Sequence, residues 1–331
     1  MAMADDKIQI VADLASCEAL WQPPSRDWRL LQDWELRREL AQLDGVEPYF
    51  ITHQSGTVLP LGKKNDHLFF YGGRRYNERN GFIGSSGGER AILEFLRQSK
   101  MHFRLLSWET DPLPFVPRDC TAWDVPYNQY WEISEVGNVE RWLKSLSDGT
   151  AADIAYLERK FKPVILTDVP LDLVSEFIGH TIEAIESRGG GTSHNENRPS
   201  TMFSLRYLAN RGKLRAVKLQ YRGADIGLGV FAIDTARKEA VYLLNLYKRT
   251  PAKASNCLVA TMIKFCVERG YRLDGMRGAF ALKPRYGYRP QPSYALVNDP
   301  SWVIDLTSDL EADALIRLYG RPFGATAPAL S

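Results

Sequence analysis

The part of the sequence that is most informative about the fold runs from Glu239 to Asp274 and reads EAVYLLNLYKRTPAKASNCLVATMIKFCVERGYRLD. Its first nine residues are mostly apolar and aromatic, which predicts a strand. Apolar side chains at helical spacing follow, after a start that Ser255 or Asn256 can cap and before a stop at Gly270. The last residues, YRLD, read as another strand. The stretch therefore predicts a strand, a basic loop, a helix and a second strand in that order.

Outward from this stretch, both halves of the chain repeat one order of elements. Three short apolar runs precede the helix in the second half (LRAVKLQYR, ADIGLGVFAID, EAVYLLNLY), and three precede ERAILEFLRQ in the first half (PYFITHQ, TVLPLGK, HLFFYGG). Short apolar runs separated by tight turns are typical of antiparallel strands. We therefore predict an α+β fold with two similar domains in tandem, 1–160 and 161–331. Each is a mostly antiparallel mixed sheet flanked by helices, rather than a doubly wound parallel sheet.

Composition excludes several classes of protein. The 331 residues carry 42 Lys+Arg and 40 Asp+Glu, a net charge of +2, and 44% of them are hydrophobic. These values are typical of globular chains, and no apolar run approaches the roughly 18 residues that a membrane span needs. The first residues do not resemble a secretory signal, and four dispersed Cys and five scattered His give no disulfide or metal-site spacing. We therefore expect a cytoplasmic protein with no membrane span and no metal; composition does not indicate an oligomeric state.

The basic loop after EAVYLLNLY and the start of the helix that follows it predict an anion site. A helix N-terminus offers free backbone N–H groups and a positive dipole end, which together bind phosphate. Lys248, Arg249 and Lys253 lie just before it, where they could pair with a pyrophosphate. The other interpretation is an ordinary strand-to-helix connection with exposed lysines. Neither a Walker A nor a G-x-G-x-x-G pattern occurs, which argues against P-loop and Rossmann folds.

A second candidate segment, LDGMRGAFALKPRYG, follows at residues 273–287. It presents three cations, Arg277, Lys283 and Arg285, and is predicted to form a pocket wall for an anionic substrate or cofactor. The alternative is a solvated loop anchored by the aromatic rings of Tyr286 and Tyr288.

With these residues in order, the chain resembles the FemAB/CelD-type branch of the GNAT acyltransferase superfamily. The family's C-terminal pattern, roughly fD-x-x-x-G-x-x-x-YK-x-r-f-G, is matched at Asp274, Gly278, Lys283, Arg285, Tyr286 and Gly287. DWRLLQDW, GTVLPLGKKNDHLFFYGG and YWEISEVGNVERWLKSLS resemble its N-terminal motifs, so the likeness spans residues 9 to 298 approximately. The chain departs from the family pattern at one segment and at one single residue. Residues 148–161 read DGTAADIAYLERKF where the family usually has a basic run, and Leu282 stands where it has Tyr.

The resemblance implies two tandem GNAT-like domains and an N-acyltransferase that moves an acyl group from a thioester to a small-molecule amine by direct attack. The donor it implies is acyl-CoA or an acyl carrier, with no metal. Such an attack requires that the amine is held next to the carbonyl, that the oxyanion is stabilised and that the leaving thiolate is protonated. The expected donor-binding residues are Leu246, Tyr247, Lys248, Arg249, Ser255 and Asn256. Tyr286 is the candidate proton donor, and the expected substrate-binding residues are Arg277, Lys283, Arg285 and His194.

Two other functions remain open on sequence. The first is an aminoacyl-tRNA-dependent, FemAB-like transferase. The basic residues between Arg198 and Arg222 favour it, while a net charge of only +2 disfavours tRNA as a partner. The second is a catalytically silent GNAT-like accessory protein in polysaccharide or natural-product assembly, which the two departures from the family pattern favour.

Overall fold

The computed structural model describes residues 8–23, 30–72, 79–108, 121–125, 130–131, 137–187, 198–248, 253–276, 285–288, 293–298 and 321–322. The chain divides into two compact units, Met1–Tyr127 with Pro292–Ser331, and Asn128–Gln291. The first unit therefore contains both ends of the chain, and the second is one continuous stretch.

The secondary structure begins with two helices and a run of strands. In chain order the first elements are β1 (Ile8–Val11), α1 (Leu14–Leu20), α2 (Trp34–Leu43), β2 (Glu47–His53), β3 (Thr57–Lys64), β4 (His67–Phe70), β5 (Ile83–Gly84), α3 (Glu89–Gln98), β6 (His102–Trp108) and β7 (Thr121–Val125). The next are β8 (Tyr130–Trp131), α4 (Val139–Ser145), α5 (Asp148–Phe161), β9 (Val164–Leu166), α6 (Leu171–Glu186) and α7 (Arg198–Asn210). The last are β10 (Leu214–Tyr221), β11 (Ala224–Asp234), β12 (Glu239–Tyr247), α8 (Ala254–Arg269), β13 (Arg272–Asp274), β14 (Ser293–Val297) and β15 (Arg321–Pro322).

The first unit is built on a mixed sheet with the strand order β1-β2-β3-β4-β6-β14-β7-β15, and β5 pairs with β3. Its pairings are antiparallel except that between β4 and β6. Strand β14 comes from the far end of the chain and lies between β6 and β7, antiparallel to both. The buried core includes Leu93 of α3, Phe103 and Trp108 of β6, and Leu296 of β14.

The second unit has the strand order β8-β13-β12-β11-β10-β9. After β8, α4 and α5, it repeats the order of the first unit apart from the short β5: a strand, two helices, three antiparallel strands, a helix, and a strand parallel to the third of the three. The prediction of two similar α+β units with mostly antiparallel mixed sheets is therefore confirmed.

Helix α8 packs against the second sheet over most of its length. Its apolar side chains, among them Leu258 and Ile263, are buried with Phe231 of β11. The helix also packs closely over Gly229 of β11, where a Cβ would lie 3.4 Å from both Leu258 Cβ and Met262 Cε. The helix ends where predicted, at Gly270 in the left-handed conformation.

The units divide at residues 127 and 292, whereas the sequence placed one boundary at residue 160. Helices α4 and α5 and strand β8 belong to the second unit, because α5 packs on α8 and β8 pairs with β13. The sequence also did not indicate that β14 returns to the first sheet. Local patterns locate elements but not their distant partners.

Candidate functional site

The site begins where two parallel strands of the second unit diverge. Strand β12 pairs with β13 only from Glu239 to Val241, although β12 continues to Tyr247. Among the residues that the structure describes, no strand pairs with this side of β12 beyond Val241. An unpaired strand edge offers N–H and C=O groups to a ligand that carries amides.

A β-bulge reorients β12 at this point. Val230 of β11 pairs with Leu244 and Phe231 with Tyr242, so Leu243 is the extra residue. After the bulge, the Lys248 N–H donates to Ile226 O of β11 at 3.1 Å. Backbone groups alternate in direction along a strand, so the Asn245 N–H points away from β11, toward the diverging edge. Bulges commonly redirect the chain beside functional sites.

The Thr181 hydroxyl of α6 closes the far end of this edge. The Tyr247 N–H donates to Thr181 Oγ1 at 2.9 Å, and that oxygen lies 3.2 Å from Tyr247 O. Leu246, one residue earlier, is in register with Leu228 of β11 and its side chain is buried. We expect the strand edge Leu244–Tyr247 to supply the oxyanion donor. Within it, Asn245 is the residue whose backbone N–H points away from β11 and is not taken by Thr181, and no strand that the structure describes lies beside it.

The start of α8 lies next to this edge. Lys253 precedes the helix in the left-handed conformation, φ 72°, and no side chain caps the first turn. Asn245 Nδ2 donates to Ser255 Oγ at 3.1 Å, which joins the strand edge to the helix start. The Asn256 N–H donates to Lys253 O at 3.1 Å. Among the described residues, Ser255 is therefore the predicted one whose N–H is left for water or an anion.

The predicted cations that the structure describes are paired with carboxylates. Lys248 Nζ lies 2.8 Å from Glu176 Oε1 of α6. Arg285 Nη2 lies 2.9 Å from Asp153 Oδ2 of α5, and Lys253 Nζ lies at the same distance from that oxygen. Lys248 thereby lowers the pKa of Glu176, and Lys253 that of Asp153. The other predicted cations, Arg249, Arg277 and Lys283, lie outside the described residues, as does His194.

Tyr286, the candidate proton donor, is fully buried in the core of the second unit. Its backbone oxygen accepts a hydrogen bond from Trp142 Nε1 of α4 at 3.2 Å. Burial raises the pKa of its phenol to about 12, so the hydroxyl keeps its proton at neutral pH. Tyr288 is also buried, and burial raises its pKa well above the ordinary value.

Three buried hydroxyl groups on the elements that build this site have few hydrogen-bond partners. The Tyr242 hydroxyl interacts with the Asn245 side chain and Thr261 Oγ1 with the Cys257 thiol, whereas the Tyr286 hydroxyl has no partner within the described part of the chain. Native proteins pair most buried polar atoms with protein or water, so a ligand or solvent is the expected partner of the Tyr286 hydroxyl. We find no group of three or more His, Cys, Asp or Glu side chains suited to a metal among the described residues.

Sequence reasoning missed the residues that hold the predicted ones in place. Thr181, Glu176 and Asp153 each bind a predicted residue from a distant element. The acidic start of DGTAADIAYLERKF, noted as a departure from the family pattern, was the one signal that pointed to Asp153. Pairings across long separations leave no local pattern for the others.

Three solved structures identify the fold. The L-PGS structure from Bacillus licheniformis gives a TM-score of 0.50 at 11% identity, covering 84% of this chain and 95% of that one. A conserved protein of unknown function from Bacteroides thetaiotaomicron gives a TM-score of 0.53 at 10% identity, covering 88% of this chain and 99% of that one. A GNAT-family acetyltransferase from Colwellia psychrerythraea gives a TM-score of 0.51 at 9% identity, covering 88% of this chain and 98% of that one. The fold is therefore that of GNAT acyltransferases, as the resemblance predicted.

No protein-family model matches the sequence, and no curated protein is similar to it. Identities near 10% show the fold alone, so the FemAB/CelD-like subtype stays a prediction. Within the described ranges, no helix has both the length and the apolar character to span a bilayer.

Proposed function

We propose that this chain is an N-acyltransferase that moves an acyl group from a thioester donor to a small-molecule amine by direct attack. The observation that carries the proposal is the divergence of β12 from β13 beside the uncapped start of α8, in a GNAT fold. An open strand edge suits the amides of a pantetheine arm, and a helix start suits its phosphate. The donor is acyl-CoA or an acyl carrier.

Each step of the reaction has a candidate group. The Asn245 N–H at the strand edge stabilises the oxyanion as the neutral amine attacks the carbonyl carbon. The new C–N bond forms, the C–S bond breaks, and the leaving thiolate takes the proton of the Tyr286 hydroxyl; the proton that the attacking nitrogen loses then restores that hydroxyl. The start of α8 at Ser255 and Asn256, where the Ser255 N–H is the unpaired one, holds the donor's phosphate together with Lys248 and Arg249.

The residues that bind the acceptor in this proposal are Arg277, Lys283, Arg285 and His194. The order of motifs in the sequence supports a FemAB/CelD-like subtype, and the amine is a small molecule.

An aminoacyl-tRNA donor fits the site less well. RNA binding needs an open basic face. In the basic run between Arg198 and Arg222, Lys213 pairs with Asp234 and Lys218 with Asp225. A silent accessory protein would bind a thioester without turnover, so donor binding and turnover are measured separately.

Thermal stabilisation by acetyl-CoA tests the proposal. A ligand at about 100 times its Kd stabilises the folded state by about 2.7 kcal/mol, which shifts the melting temperature by degrees. We expect Lys248→Ala to lose most of this shift, because Glu176 would then face the phosphate without its partner. Lys213→Ala is the matched control, since both lysines are about one-third exposed and paired with a carboxylate. Equal loss in the two variants, or no shift with any acetyl thioester, would contradict the proposal.

A further inference from the structure

An ionic cluster joins α5 to the start of α8. The Asp153 carboxylate contacts Lys253 Nζ through both oxygens, at 3.2 and 2.9 Å. The same carboxylate contacts Arg285 Nη2 at 2.9 Å, and Arg285 Nε donates to Thr150 Oγ1 one turn earlier on α5. One acidic side chain thus holds the cation just before the helix and the cation just before Tyr286.

This cluster limits the positive charge beside the donor's phosphate. Two cations and one carboxylate leave a single net positive charge, and Lys248 is balanced by Glu176. A carboxylate about 6 Å from a phosphate charge in water weakens binding about threefold for each such pair. Repulsion therefore grows with the number of negative charges that the donor brings.

We propose that Asp153 is a specificity-determining residue that favours a phosphopantetheine thioester with a single phosphate over acyl-CoA. This inference rests on the proposed function. Acyl-CoA carries a pyrophosphate and a further phosphate, whereas the phosphopantetheine arm of a carrier protein carries one phosphodiester. The chemistry shared by the two donors is the pantetheine thioester; their charge is what Asp153 distinguishes.

A second ion pair between the same helices supplies a matched control. Glu158 of α5 lies 3.1 Å from Lys264 of α8, further along both helices than Asp153 and Lys253. Both pairs join α5 to α8, but only Asp153 adjoins the uncapped helix start. Loss of either pair loosens the same helix contact, so a purely structural effect appears in both variants. An electrostatic effect on the donor appears only at Asp153.

The test measures dissociation constants by calorimetry on the full chain, with acetyl-CoA, acetyl-4′-phosphopantetheine and acetyl-pantetheine as probes. Asp153→Asn should tighten acetyl-CoA binding about three- to tenfold, tighten acetyl-phosphopantetheine binding less, and leave acetyl-pantetheine unchanged. Glu158→Gln should leave all three unchanged. Asp153→Glu keeps the charge and should resemble the wild type. Surface ion pairs contribute little stability, so these variants are expected to fold.

Equal changes in Asp153→Asn and Glu158→Gln, or weaker acetyl-CoA binding in Asp153→Asn, would overturn the inference. If Asp153→Asn does not fold, Asp153→Ser removes the same charge and should tighten acetyl-CoA binding in the same way. Failure of all three probes to bind the wild type would instead overturn the proposed function. Binding of all three with no effect of the charge at Asp153 would overturn only the role of Asp153.

Discussion

At the scale of single residues, one hydroxyl group decides how far the open strand edge extends. Thr181 Oγ1 accepts a hydrogen bond from the Tyr247 N–H and lies 3.2 Å from Tyr247 O. Helix α6 therefore satisfies backbone groups at the end of β12. The Thr181 hydroxyl also lies 2.8 Å from Phe177 O within the helix. An apolar side chain of the same shape would leave the Tyr247 amide without this partner.

Thr181→Val should therefore lower the free energy of unfolding by about 1–3 kcal/mol, the typical effect of leaving a backbone donor unsatisfied. Thr261→Val is the control, because the buried Thr261 Oγ1 has no hydrogen-bond partner stronger than the Cys257 thiol and its loss should cost little. Urea denaturation of both variants measures the difference. Equal destabilisation would show that the Tyr247 contact contributes nothing specific.

Tyr286 carries the chemical prediction at this scale. Tyr286→Phe should lower thiol release about 10²- to 10⁴-fold, the usual contribution of a general acid, while acetyl-CoA affinity is kept. Burial raises the pKa of this phenol to about 12, so the proton is present below that pH and is lost as the pH rises through about 12. Turnover of the wild type should not fall between about pH 9 and 11 on account of this group.

Tyr288→Phe serves as the comparison, since Tyr288 is buried two residues away. If Tyr288→Phe loses turnover and Tyr286→Phe does not, the proton donor is Tyr288. Unchanged turnover in both variants would remove the proposed acid step altogether.

At the scale of secondary-structure elements, α8 supports the second sheet and presents the proposed anion site at its start. Most of its side chains are buried, including Cys257 and Cys266, as expected of packing residues. Cys17 of α1 is buried in the first unit in the same way. Burial raises the pKa of Cys17 and of Cys257 to about 12, and it raises the pKa of Cys266 as well.

Because only the thiolate reacts readily, these three cysteines should resist alkylation. Iodoacetamide at pH 8 should leave Cys17, Cys257 and Cys266 unmodified in the native protein and modify all three in urea. Mass spectrometry of the digested protein measures each site. Rapid native labelling of Cys257 or Cys266 would show that α8 is not packed as described.

At the scale of the whole molecule, the second unit is continuous in sequence and the first is not. Strand β14 pairs with β6 on one side and β7 on the other. The first sheet is therefore incomplete until the last part of the chain has been made.

Fragments of the chain test this arrangement. Residues 128–291 should unfold cooperatively and retain acetyl-CoA binding, since they hold all the strands and candidate residues of the second unit. Residues 1–291 should lack a cooperative transition for the first unit, because β6 and β7 would each present an unpaired edge. Calorimetry of both fragments measures this. Two separate, full transitions in 1–291 would show that β14 is dispensable.

The elements and their repeated order can be predicted from the sequence. Helical spacing and Gly270 located α8, and alternating apolar runs located β10, β11 and β12, because such signals act within a few residues. The basic loop and helix start also identified the candidate anion site.

Which groups meet at this site depends on contacts between distant parts of the chain. Asp153 binds Lys253 and Arg285 across separations of 100 and 132 residues, and Thr181 binds Tyr247 across 66. The bulge at Leu243 and the divergence of β12 from β13 likewise depend on how strands pair. Pairing and register follow from burial of whole faces of a sheet, a property summed over distant residues that no local pattern records.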